Sequence, residues 1–232
     1  MRSSIFVVFI LFIFLQPAMA ANTGQLLTWG YVNFPPYHYD NNGKVQGAIA
    51  DQINAIFKST NLEYSAVELP AKRARLYIEE GRVDFSTVIE TFMTHSNKFL
   101  KSDLPIYRIR LGAICQKDSL SISNIADLRE FELIIIAGYS YGLEDKIDVK
   151  SGYDVVLSAQ HHKQAINALI HNRGDCFLGY EGPYLSEKEK LPSHSMTFYL
   201  IEEFPVYLYL NKRHDNAERV MRIINNALLA NN

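Results

Sequence analysis

Three rings flank two consecutive prolines in the stretch Asn33-Phe34-Pro35-Pro36-Tyr37-His38-Tyr39. Proline excludes helix and restrains the residue before it, so the spacing predicts a stiff extended loop. The loop follows a strand-like run, Leu26 to Val32, and open α/β sheets bind their ligands at the C-terminal ends of strands. Phe34 is therefore a candidate contact for a small molecule, because exposed loop rings tend to touch something. For Tyr37 and Tyr39, covering a core is an equal alternative. A second group is Thr91 and Thr94, where a strand stops and a helix would begin. The free N–H groups of a helix start suit a carboxylate or another anion. A third is the turn Gly138-Tyr139-Ser140-Tyr141-Gly142, with Ser140 a candidate N-cap of a helix.

Catalytic chemistry finds less support. Glu90 and Glu181 are the carboxylates at strand ends, and one with a raised pKa could serve as a general acid, but nothing pairs them. The chain has no G-x-S-x-G elbow, no H-E-x-x-H and no P-loop, and no histidine can be placed beside Cys115 or Cys176. His161 and His162 are adjacent on a predicted helix and point different ways, with His171 out of register with both. All three are expected at the surface. Neither an enzyme, a metal site nor a cofactor is expected.

The elements that must position these groups alternate regularly. Leu26 to Val32 reads as a strand, Gly47 to Ser59 as a helix with Ile49, Ile53, Ile56 and Phe57 on one face, and Glu63 to Leu69 as a strand. Pro70 opens a helix from Ala71 to Glu80, Gly81 closes it, and Val83 to Ile89 is the next strand. Such alternation predicts a parallel sheet with right-handed crossovers. Pro105 blocks helix, and Ile106 to Gln116 carries the chain into a second half. There the expected elements are a short helix from Ile125 to Arg129, a buried strand from Glu132 to Ala137, a strand from Tyr153 to Ser158, a helix from Gln160 to Asn172, and strands at Asp175 to Tyr180 and Met196 to Ile201. Val206 to Asn211, after Pro205, is predicted as a separate last strand, and Asn216 to Ala230 as a final amphipathic helix. The theme occurs twice, which predicts an α/β clamshell of two lobes joined by two crossings: residues 21–107 with 205–232, and residues 108–204.

Residues 1–20 read as a cleaved signal peptide, with Arg2, the apolar run Ile5 to Leu15 and Ala18-Met19-Ala20 as cleavage site. The alternative, an uncleaved anchor, has an apolar run shorter than the roughly 20 residues a bilayer needs. Export to the periplasm is expected. Losing Arg2 takes the formal charge from −2 to −3, too weak a field for a nucleic-acid partner. The two cysteines exclude a disulfide-dense scaffold, and whether they bridge or stay as buried thiols is open.

The stretches WGYVNFPPYHYDNNGKVQGAIAD, GRVDF with DLPIY, IADLREFELIIIAGYSYG and NRGDCFLGYEGPY resemble, in that order, bacterial extracellular solute-binding proteins of family 3, the amino-acid type with the type 2 periplasmic binding fold. Their order and spacing carry the likeness over nearly the whole mature chain. The resemblance implies a monomer whose lobes close on a small polar solute, amino-acid-like or a small carboxylate, and hand it to an inner-membrane ABC permease; a membrane sensor is the alternative partner. Some periplasmic proteins of this fold resemble dehydratases, which makes an enzyme on cyclic carboxylates the alternative activity. Tyr31 falls in the opening motif and Phe34 on the ligand-covering aromatic. Glu90 and Thr91 fall at the first strand end, Tyr139, Ser140 and Tyr141 on the second-lobe donors, and Tyr180 on the aspartate that holds an ammonium, with Glu181 beside it. The family's carboxylate-gripping arginine falls on Ser96, which cannot replace a bidentate guanidinium. Arg73, after Pro70, is the candidate substitute, with a solvated surface charge as its alternative.

Overall fold

The structure is a computed structural model that describes residues 26–93, 97–116, 120–143, 152–190 and 196–231. The leader, Thr94, Ser96 and the helix expected after Ser140 lie outside these residues.

The chain begins with β1 (Leu26–Tyr31), and the proline loop follows, with a cis Pro35–Pro36 peptide. A hairpin of β2 (Tyr39–Asn41) and β3 (Lys44–Gln46) then turns through Asn42 and Gly43, at φ 55° and 78°, the left-handed pair an Asn-Gly turn supplies at little cost. Helix α1 (Ala48–Thr60) buries Ile49, Ile53, Ile56 and Phe57 as its periodicity requires. Next come β4 (Glu63–Glu68), parallel to β1, then α2 (Ala71–Glu79) capped by Pro70, then β5 (Phe85–Ile89), parallel to β1 on its other side. A short 3-10 turn, Glu90–Met93, and β6 (Phe99–Lys101) lead to β7 (Tyr107–Cys115).

The second half contains a 3-10 turn, Ile125–Glu130, whose Asn124 and Asp127 cap it reciprocally, followed by β8 (Glu132–Ile136) and β9 (Asp154–Ala159). Then come α3 (His162–Ile170), β10 (Cys176–Tyr180) and α4 (Glu181–Lys188). The chain ends with β11 (Thr197–Asn211) and α5 (Ala217–Asn231), which packs on α1. Among the described residues, no helix is long and apolar enough to cross a membrane.

The strands form one curled sheet in the order β4-β1-β5-β11-β7-β10-β8-β9, with β6 also on β11. The pairs β1 with β4 and β5, and β8 with β9 and β10, are parallel, as the alternation predicts. β11 is antiparallel to β5, β6 and β7, and β7 to β10. The two strands expected on either side of Pro205 are in fact one 15-residue strand with an irregularity between Leu200 and Glu202. Proline is tolerated there because β5 starts pairing only at Val206, so Pro205 has a strand neighbour on the β7 side alone. β7 and β11 thus run side by side from one half into the other, with Tyr107 opposite Val206, Arg108 opposite Pro205 and Ile109 opposite Phe204. The largest apolar core passes through both halves at the same place, by way of Ile106, Ile109 and Phe204.

The cysteines are joined. Cys115 on β7 faces Cys176 on β10 with their Cα atoms 4.4 Å apart, and both are fully buried. Directly opposed residues on antiparallel strands bring the two side chains within bridging reach.

Candidate functional site

The loop after β1 folds back on itself before it reaches the second half. The Phe34 N–H donates to the His38 carbonyl at 2.8 Å and the Tyr37 N–H to the Phe34 carbonyl at 2.9 Å. Ala48 and Ile49, at the start of α1, donate to the carbonyls of Pro36 and Tyr37 at 3.1 and 2.8 Å, so the loop is tied to the helix behind it.

Phe34 is the centre of the site. Its ring lies 5.0 Å from Tyr37, 5.4 Å from Tyr180, 6.1 Å from Tyr139 and 6.4 Å from His162, centroid to centroid. Three of those partners belong to the second half. Tyr37 is buried beside Tyr107, and its hydroxyl accepts a hydrogen bond from the Gly182 N–H at 3.1 Å. Burial pushes its phenol up to about 12, against the lowering effect of that bond. Tyr180 stands behind Phe34, 6.2 Å from both Tyr139 and Tyr141, and burial raises its phenol strongly. Tyr141 has φ 60°, and its hydroxyl accepts from the Ile136 N–H at 2.6 Å, which holds the turn onto the end of β8.

The halves meet so closely that two glycines have no room for a side chain. A Cβ on Gly182 would fall 2.7 Å from both Cζ and Oη of Tyr37, and one on Gly142 would fall 2.6 Å from Cδ1 of Ile89. Beside Gly182, Glu181 pairs with Arg110 on β7 at 2.6 Å, and the Arg110 guanidinium lies 5.7 Å from the Phe198 ring.

Of the residues singled out from sequence, the structure brings Phe34, Tyr37, Tyr139, Tyr141 and Tyr180 into one cluster, with Glu181 at its edge. Ser140 is half-buried in the same turn, and its carbonyl accepts from the Leu143 N–H at 3.3 Å. Tyr31 packs inside the first half, its ring 5.4 Å from Trp29 and 6.0 Å from His38. Glu90 is exposed and paired with Lys101 at 2.6 Å, and Thr91 is half-buried in the 3-10 turn. Tyr39 is half-buried in β2. Arg73 is exposed in the first turn of α2, and among the described residues no ion pair or ring contact joins it to the cluster.

Three features differ from expectation or were missed. Glu181 opens α4, a helix the sequence analysis does not place. His162 is not a surface residue: its ring packs between Phe34, Tyr139 and Phe177, and burial lowers its pKa to about 4. His161, the adjacent residue, is exposed and caps α3 by accepting from the Gln164 N–H. Arg110 is the residue that sequence reasoning missed. Its partner lies 71 positions away, and the local signal is that Arg110, like Arg108, interrupts the apolar run of β7. Among the described residues, no group of three or more histidine, cysteine or acidic side chains is placed to hold a metal ion.

His38 behaves like His162. It is buried among Trp29, Tyr31 and Phe34, and desolvation lowers its pKa to about 4 although a bond to the Val32 backbone favours its charged form. A base whose folded pKa lies below its unfolded value of about 6.5 contributes stability that is complete above that value and lost as pH falls toward 4. His38 alone is expected to cost about 1–2 kcal/mol between pH 7 and pH 5. Urea midpoints at the two pH values measure this, and His38→Phe is expected to flatten the difference. An unchanged pH dependence in that variant would remove His38 from the account.

The fold is that of the two-lobe type 2 periplasmic binding proteins. The arginine-bound form of truncated ArgBP from T. maritima matches with a TM-score of 0.62 and 17% identity, over 89% of this chain and 96% of that one. The GluR0 ligand-binding core in complex with L-glutamate matches with a TM-score of 0.68 and 14% identity, over 90% and 92%. A histidine kinase sensor domain with similarity to periplasmic binding proteins gives 0.64 and 16%, over 89% and 90%. No protein-family model matches the chain, and no curated protein does.

Proposed function

We propose that this protein is an exported, periplasmic solute-binding protein that closes its two lobes, residues 21–107 with 205–232 and residues 108–204, on a small polar solute of amino-acid size and presents the closed form to an inner-membrane ABC importer. One observation carries the reading: rings from the second half converge on Phe34, and the Gly182 N–H donates to the Tyr37 hydroxyl beside it, across a seam bridged, among the described residues, by two adjacent strands. Solute docks on the first lobe through Phe34, and the second lobe then adds Tyr139, Tyr180 and the amides of the 139–142 turn. Affinity is greatest in the closed state, which is what allows the solute to shift the equilibrium. Two of the neighbours named above are bound to arginine and to L-glutamate, which supports a ligand of this size.

A second role, a ligand-sensing module read by a membrane receptor, is favoured by the likeness to the histidine kinase sensor domain. Both roles use the same closure. Catalysis has less behind it, since the one carboxylate at the cluster's edge is already neutralised by Arg110.

A thermal-shift screen of amino acids, dipeptides, small carboxylates, polyamines and quaternary amines tests the proposal, because a ligand of the folded state alone raises the melting temperature. Phe34→Ala is expected to weaken the hit by about 1–3 kcal/mol, the range for a buried ring. A panel that shifts nothing, or a hit that binds the variant as well as the wild type, would sink the reading. Turnover of the hit would move the protein to the enzyme class. Loss of uptake on deleting the gene distinguishes import from sensing.

A further inference from the structure

We infer that His162 makes closure sensitive to acid: its imidazole packs at the seam with one ring nitrogen buried and unpartnered, and taking up a proton drives the halves apart. The inference rests on the solute-binding reading above and adds a regulation of the same closure. His162 is the first residue of α3, in the second half. Its ring meets Phe34 across the seam at 6.4 Å, and Tyr139 and Phe177 on its own side at 5.8 and 6.0 Å. Nε2 is buried and, among the described residues, has no hydrogen-bond partner. A neutral imidazole can leave one nitrogen without a hydrogen, but an imidazolium carries an N–H on both. Protonation therefore places a charge and an unpaired donor where neither is solvated, which costs far more than burying the neutral ring.

The groups around the ring do little to hold that proton. From the first half comes Phe34, with Tyr37 and His38 packed against it. The turn contributes Tyr139, and β10 contributes Phe177 and, beyond Phe34, Tyr180. Burial raises all three phenols, so they stay neutral in mild acid. Of the carboxylates on α4, Glu187 favours the charged ring but is bound to Lys190 at 2.8 Å, and Glu181 is taken by Arg110. His161, at the N-cap of the same helix, opposes the charge. The carboxylates of β8 and β9, Glu132 and Asp154, are the first residues of their strands, at the ends away from the turn. Desolvation outweighs Glu187 and lowers the ring's pKa to about 4. The dipole of α3 disfavours a cation at this position in either form, whereas the Phe34 cover acts only when the halves are together. A base whose pKa is lower in the closed form favours closure fully above its open-form value and loses that contribution as pH falls toward 4. With an open-form value no higher than about 6.5, going from pH 7 to pH 5 raises the ratio of open to closed molecules by at most about twentyfold. Solute affinity falls by no more than that factor.

Reciprocity supplies the test: if the proton opens the halves, opening must let the proton on. Histidine ring resonances of the mature protein are titrated by NMR beside those of Gly182→Ala, whose added Cβ would meet Tyr37 across the seam at 2.7 Å. His162→Gln identifies the resonance, and small-angle scattering on the same samples reports whether the halves are apart. In the expanded variant the His162 midpoint is expected to rise by about one pH unit or more, tenfold in proton affinity. Phe34→Ala, which removes the cover directly, is expected to raise it as well, and keeps the test sound if Gly182→Ala does not fold. His38, which lies within the first half, is expected to keep its midpoint in Gly182→Ala. An unchanged His162 midpoint in an expanded variant would overturn the acid sensitivity and leave closure standing. So would a wild-type His162 that already titrates at about 6.5. A Gly182→Ala protein as compact as wild type would take closure and its regulation down together. If no solute binds while the midpoint still rises on opening, the solute-binding reading falls and the link between proton and closure stands.

Discussion

Gly182→Ala is expected to bind the solute about tenfold or more weakly than wild type, with little change in the melting temperature of the free protein. On the proposed closure, the reason is a collision that exists only when the halves are together. The added Cβ would stand 2.7 Å from Cζ and Oη of Tyr37, and that ring cannot step aside because Phe34 and Tyr107 pack on it. Overpacking of this kind costs about 1–3 kcal/mol, and 1.4 kcal/mol is tenfold in affinity. Within its own half the substitution is mild, since alanine favours helix over glycine by up to about 1 kcal/mol and Gly182 lies in the first turn of α4. Titration measures the affinity, and small-angle scattering is expected to show a larger radius for the variant. Removing the obstacle checks the cause: Gly182→Ala on a Tyr37→Ala background is expected to bind no worse than Tyr37→Ala alone. A compact variant with wild-type affinity would mean that the two halves need not come this close.

Replacing Cys115 and Cys176 together by alanine is expected to lower the unfolding free energy by about 2–4 kcal/mol. The bond closes a loop with a sequence separation of 61, and a crosslink of that span removes substantial freedom from the unfolded chain. Both residues are fully buried, so the small voids left add to the loss. Urea unfolding of the variant beside the oxidised wild type gives the difference, and coincident midpoints would show that the bond adds nothing. At the far end of the same ladder Tyr180 stands opposite Leu111, next to Arg110. Solute affinity at low denaturant is nonetheless expected to persist, because the ladder between β7 and β10 remains.

The first half was almost wholly legible in the sequence, for a physical reason. β1, α1, β4, α2 and β5 follow one another with short connections, and each carries its own period, its own proline or glycine punctuation and its own apolar face. Strand β11 was not, because Pro205 normally marks a break and only the pairing partners show that it has a neighbour on one side alone. Helix α4 was missed since Glu181 to Lys188 has only a weak apolar stripe, and its buried residues, Pro183 and Tyr184, do not announce a helix. The rings of the site were legible one at a time, as loop aromatics at strand ends. Their meeting was not, since Phe34 and Tyr180 lie far apart in sequence and come together only through the crossing of β7 and β11. His162 shows the same limit on a small scale. Adjacent residues on a helix point apart, but which of the two turns inward depends on where the sheet lies.

Both passages between the halves belong to one antiparallel ribbon, and this restricts how the molecule can move. A body held by two well-separated straps can twist, shear or slide, whereas one held by a single bonded band bends mainly about the axis across that band. On the proposed closure one coordinate then describes the motion, and a single pair of fluorophores, one on each half, is expected to report the complete open-to-shut cycle.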